Sequence, residues 1–222
     1  MVIQPNHLFY VVGKNLLKQN FISCNSELFH ETRLRAENSA RNENECGECT
    51  LLEIYSQMQS FFNWNNRQVQ KAVEIEFEEE SRTIREIPEV LLLIEKAANI
   101  ALSVNFVSDS YFSSKQIHTL LKAKGIWCND AKIYSSCEYR KSKSNCGELF
   151  KQILVERQFE PDQVLHIGND YKNDIRNPSL LKINTLHFTN ANPTHWDNLL
   201  ISKAKGANQI EFISFLLGSA RL

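Results

Sequence analysis

The sequence lacks any excess of one charge. It carries 25 basic and 26 acidic residues among 222, a net charge of −1. No broad electrostatic pull toward nucleic acid or an anionic membrane is therefore expected. Long apolar runs are missing too: nothing approaches the roughly 18 consecutive apolar residues of a transmembrane helix. The opening stretch, MVIQPNHLFYVVGK, has no basic segment ahead of its apolar residues and no small-residue cleavage site behind them. It does not read as a signal peptide, and a cytoplasmic location is the expectation. There is no internal repeat and no low-complexity tract.

Metal-ligand spacing is sparse. Of Cys24, Cys46, Cys49, Cys128, Cys137 and Cys146, only Cys46 and Cys49 form a CxxC pair. A structural zinc site needs two further ligands, and no second CxxC or paired histidine motif supplies them. Free thiols in a polar loop are the expected state of these cysteines.

What is present is the composition of a globular protein, 42% hydrophobic and 23% charged. The pattern changes near residue 88. Before it, Phe29–Arg41, Leu51–Phe62 and Gln68–Ser81 read as helices, the second with apolar residues close to a 3.6-residue period. A polar loop, Asn42–Glu48, separates the first two. After it, strands at Ala101–Val107, Lys132–Tyr134, Val164–Ile167 and Ile183–Phe188 alternate with helices at Ser113–Lys124 and Cys146–Gln158. Strands separated by helices imply parallel pairing and an α/β layer architecture. The expected division is a helical segment over 1–88, an α/β core over 89–190 and a helical tail over 191–222, with helices around Trp196–Leu200 and Ile210–Leu217.

In an open parallel sheet, ligands bind beyond the carboxyl ends of the strands. One strand here ends in Val107-Ser108-Asp109. The segment after Tyr134 contains Lys141 and Lys143. Another strand ends in His166-Ile167-Gly168-Asn169-Asp170, with Asp174 four residues further on. Each feature has a plain structural reading. Ser108 could cap a turn. Lys141 and Lys143 could lie in a solvated run. Asp170 and Asp174 could favour a helix N-terminus. Arg33, Arg35 and Arg41 could touch a ligand, although arginines on exposed helices are usually solvated.

Taken in order, these segments resemble a known family. NFVSDSYFSSKQIHTLL, SKSNCGELFKQIL and VLHIGNDYKNDI resemble the second, third and fourth motifs of haloacid dehalogenase-like (HAD) hydrolases. The likeness extends to a subfamily of phosphatase-like domains often associated with glycosyltransferases. Phe29–Arg41 and Thr50–Tyr55 resemble that subfamily's helical cap, and the resemblance covers residues 3 to 190. It implies a Rossmann-like parallel core with a helical cap. It also implies an aspartate nucleophile that attacks a small phosphate ester, with Mg²⁺ held by hard oxygen ligands. By resemblance, Ser108, Asp109 and Lys143 would bind the phosphate, and Asn169, Asp170 and Asp174 would form the metal site. Between Lys143 and Lys141 the spacing leaves both open. The implied partner is a small phosphorylated substrate or ligand, with a link to a glycosyltransferase pathway.

The first family motif, a strand ending in Asp-x-Asp, has no counterpart. The aspartates are Asp109, Asp130, Asp162, Asp170, Asp174 and Asp197, so none precedes residue 109 and no two are one residue apart. No residue of the chain is therefore assigned as the catalytic nucleophile. The motif's strand would be central, and its loss would leave the strands ending at Val107 and Ile167 with unpaired edges. Leu8–Val12 could substitute as a strand, but Pro5 and Leu16–Leu17 favour a cap helix there. The resulting expectation is a HAD-like hydrolase without turnover, or a non-catalytic module that binds a phosphorylated ligand or a protein.

Overall fold

A computed structural model describes residues 5–100, 103–128 and 131–192, together with His195 and Leu199. The two expected tail helices lie outside the described residues, Leu199 apart. The chain divides into two units, one holding residues 5–43 and 51–85, the other residues 44–50 and 86–192.

The first unit is helical: α1 (Pro5–Lys18), α2 (Ser26–Asn42), α3 (Leu51–Phe62) and α4 (Asn66–Thr83). Local signals set the boundaries. Asn25 caps α2 by accepting the Leu28 N–H, and Asn65 with Gln68 forms a capping box at α4. Leu8, Val12 and Leu16 are buried at four-residue spacing, so Leu8–Val12 lies on the inner face of a helix. It does not replace a strand.

The four helices meet at a buried ion pair. Arg33 from α2 and Glu76 from α4 both have fully buried side chains, and Arg33 Nη2 lies 2.7 Å from Glu76 Oε1. Arg33 Nε donates to Glu76 Oε2 at 2.9 Å, and Tyr55 from α3 donates its hydroxyl to the same oxygen at 2.7 Å. The Phe9 ring of α1 lies 4.5 Å from the guanidinium carbon. Arg33 is thus part of the helical core and does not face a ligand. Arg35 is 82% exposed beside Glu31, and Arg41 pairs with Glu37 at 2.9 Å.

The second unit is α/β. Its elements are α5 (Pro88–Ile100), β1 (Asn105–Ser108), α6 (Ser114–Ala123), β2 (Lys132–Ser135), the short turn α7 (Ser136–Tyr139), α8 (Glu148–Arg157), β3 (Leu165–Gly168), a π-helical turn at Tyr171–Arg176, α9 (Asn177–Leu180) and β4 (Asn184–His187). The strands make two separate parallel pairs. In one, Ser108 of β1 stands opposite Ser135 of β2; in the other, Gly168 of β3 stands opposite His187 of β4. Among the described residues, each strand pairs on one edge only. Helix α8 packs across both pairs. Its Leu149, Phe150 and Ile153 cluster with Tyr134 of β2 and with Ile183, next to β4. The outward residues Leu165 and Ile167 of β3 remain exposed.

Breaking a buried ion pair by removing one partner strands the other charge, at about 3–5 kcal/mol. Glu76→Ala is expected to lower unfolding free energy by about that amount in urea denaturation. Arg35→Ala is expected to change it by less than about 0.5 kcal/mol.

Candidate functional site

The site is built where the chain leaves β1, β2 and β3. Ser108 is the last residue of β1 and is half-buried. Asp109 follows, and its carboxylate accepts the backbone N–H of Lys143 at 2.8 and 3.2 Å. The next residue is fixed by β2's end: the Ser110 N–H donates to Ser136 Oγ at 3.0 Å, and Ser136 in turn donates to the Glu48 carboxylate at 2.6 Å. Glu48 comes from the loop between α2 and α3, and Arg140 donates to its carbonyl at 2.5 Å. Together these bonds hold the turn after β1 in place.

Lys143 links this turn to the end of β3. Its ammonium donates to Asp174 Oδ1 at 2.6 Å, and Asn177 Nδ2 donates to its carbonyl at 2.8 Å. Asp174 Oδ1 also contacts His166 Nε2 at 3.0 Å, while Oδ2 accepts the Asp170 N–H at 3.0 Å. The Asp174 side chain is 5% exposed. Burial pushes its pKa up, but the hydrogen bonds from His166 and Lys143, the Lys143 charge and the Asp170 N–H outweigh that effect. The carboxyl is held well below the ordinary carboxylate range and stays ionised.

The sequence left Lys141 and Lys143 open. Lys143 is the one at Asp174, whereas Lys141 donates to Gln152 at 2.6 Å. Three further contributors were not foreseen: His166, Gly168 and Asn177. His166 and Gly168 could have been found, since period-two alternation puts both on one face of β3. An alanine Cβ at Gly168 would lie 2.4 Å from Asp174 Cγ, so the close approach of the carboxylate requires glycine there. Asn177 carried no signal, because its contact to Lys143 depends on the tertiary path of the chain.

The other expected site residues are placed differently. Asp170 is exposed and caps its own turn, accepting the Asn173 N–H at 2.7 Å. Asn169 is exposed and donates to Asn192 at 2.6 Å, while its carbonyl accepts from His187 and Asn192. Mg²⁺ requires several oxygens near 2.0–2.1 Å in octahedral array. The Asn169 amide is drawn to Asn192, Asp170 caps its own turn and Asp174 faces Lys143 and His166, so the three side chains do not converge on one ion as placed. Among the described residues, no group of three or more His, Cys, Asp or Glu could hold a metal. Cys46 and Cys49 are free thiols, Cys49 buried. A separate open cleft of about 370 Å³, lined by residues including Lys115, His118, Trp127 and Tyr139, contains none of the expected site residues.

No protein-family model matches the chain, and no curated protein matches its sequence. Among solved structures it is similar to a 2-haloacid dehalogenase from Pseudomonas syringae pv. Tomato DC3000, with a TM-score of 0.63. The match covers 86% of this chain and 82% of that one at 9% identity. The fold is therefore haloacid dehalogenase-like: a Rossmann-like parallel α/β core with a helical cap. No helix among the described residues is long and apolar enough to cross a membrane.

Because Asp174 is anchored, a methyl group at Gly168 cannot be absorbed by a free side-chain end. Gly168→Ala is expected to destabilise the protein by about 1–3 kcal/mol through overpacking, read as a lower urea midpoint.

Proposed function

We propose that the chain carries the phosphate-side half of a HAD-type phosphomonoester hydrolase site and does not turn over by itself. The observation that carries this reading is the bridging position of Lys143, with its N–H on Asp109 and its ammonium on Asp174. One lysine thereby joins the loops that follow β1 and β3, where an open parallel sheet takes its ligand. Ser108 at the end of β1 would offer a hydroxyl to a phosphate oxygen, and Lys143 would balance the anion's charge.

The nucleophile is what the chain lacks. In HAD-type phosphoryl transfer the covalent intermediate forms on an aspartate at the centre of the site, and no aspartate precedes Asp109. The single open edges of β1 and β3 match a core that is one strand short. In the completed site, the added Asp-x-Asp carboxylates would supply the oxygen ligands that Mg²⁺ requires. The substrate class proposed is a small phosphate ester, and the proposed context is a glycosyltransferase-linked pathway in the cytoplasm.

A second reading has an observation of its own. Lys143 is already held by the protein's own carboxylates through its backbone N–H and its ammonium, which suits a module that holds its shape without chemistry and binds a phosphorylated ligand or a protein.

The deciding assay is p-nitrophenyl phosphate hydrolysis, with and without Mg²⁺. It compares the chain with a version bearing an N-terminal strand that ends in Asp-x-Asp. The proposal expects turnover only in the extended version and only with Mg²⁺. If both proteins are folded and neither turns over, the catalytic reading is lost and the binding module takes its place.

A further inference from the structure

Asp174 occupies the position where the resemblance expects a metal ligand, yet its surroundings are those of a cross-brace. We infer that Asp174 is a positioning residue that holds Lys143 and His166, and that this chain by itself binds no divalent cation at the end of β3. The inference concerns the same site as the proposed function and rests on that reading's assignment of the site.

Three features of the geometry carry it. First, both oxygens of the carboxylate are engaged. Oδ1 receives the Lys143 ammonium at 2.6 Å and His166 Nε2 at 3.0 Å, and Oδ2 receives the Asp170 N–H at 3.0 Å. An incoming cation would have to displace an ammonium that already neutralises the carboxylate, and would then repel it across a few ångströms. Second, neither bonding group can easily withdraw. Lys143 is held through its backbone by Asp109 on one side and Asn177 on the other. His166 is packed edge-on to Phe150, with ring centroids 4.7 Å apart. Third, Asp174 itself cannot turn toward a metal without leaving its seat against Gly168, where its side-chain atoms fill the space a Cβ would take. The remaining oxygens do not converge: Asp170 caps Asn173, and the Asn169 carbonyl takes two donors. One committed carboxylate is too little for Mg²⁺, which is ordinarily held by one or two carboxylates together with substrate phosphates.

The role assigned to Asp174 has its own signature. The Lys143 side chain is 13% exposed and its ammonium is bonded inward, so it should acylate slowly. Removing the partner charge frees it.

The test uses the full chain with Mn²⁺ as the probe, followed by the broadening of backbone amide resonances, and needs no variant. No selective broadening of residues 166–174 is expected up to millimolar Mn²⁺. In parallel, labelling by an amine-reactive ester is read by mass spectrometry. Asp174→Asn is expected to raise the labelling rate of Lys143 several-fold and to leave Lys141, which is bonded to Gln152, unchanged. Saturable broadening centred on His166–Asp174 overturns the inference, as does an unchanged Lys143 labelling rate in folded Asp174→Asn protein. Neither result touches the phosphatase assay, which fails or succeeds on the extended version alone.

Discussion

A carboxylate taken out of water must be matched by charge and hydrogen bonds, or it is protonated. Asp174 is matched on both oxygens, and the groups that match it come from three separate places in the chain. His166 lies within β3, Lys143 lies in the loop ahead of α8, and the Asp170 N–H opens the turn that carries Asp174 itself. Because Lys143 is also tied to Asp109 beyond β1, this one carboxylate links the ends of two strand pairs that share no backbone ladder among the described residues. Below it, α8 packs its apolar face on both pairs. The α/β unit is therefore held at one level by apolar burial and at the other by a compact ionic junction.

That junction also constrains the chemistry. Lys143, Asp109, Asp174 and His166 are engaged with each other. A further carboxylate at its centre would change the balance, since Lys143 would then face more than one anion. Lys143 meets Asp174 with its ammonium and Asp109 through its backbone N–H.

The helical unit follows the same rule in its own core. Arg33 and Glu76 are buried together, with Tyr55 completing the carboxylate's bonds. The sequence could not separate Arg33 from Arg35, because both lie in one charge-rich helix and only tertiary packing decides which faces inward. Other elements were legible. Pro5 and Leu16–Leu17 pointed to a helix where a strand was the alternative, and the helices expected from Gln68 and Ser113 begin at Asn66 and Ser114. Strand positions were right to within a few residues, since β1 to β4 are short and punctuated by turns and helices. The site was half legible. Ser108 ends β1, and Lys143 and Asp174 lie in the segments that follow β2 and β3. The orientations of Asn169 and Asp170 were not readable, because each is set by a contact, to Asn192 and to Asn173, that a linear pattern does not encode. Helix α5 also went unread as a helix, and it buries none of its side chains.

The account stands or falls on whether Lys143 and Asp174 are energetically coupled. A double-mutant cycle with Lys143→Met, Asp174→Asn and the combined variant, each measured by urea unfolding, reads that coupling directly. The account predicts a coupling energy of about 1–3 kcal/mol, in the range of contacting charged pairs. Effects that add to within about 0.5 kcal/mol would mean that the two residues act independently, and the junction would not be what joins the two strand pairs.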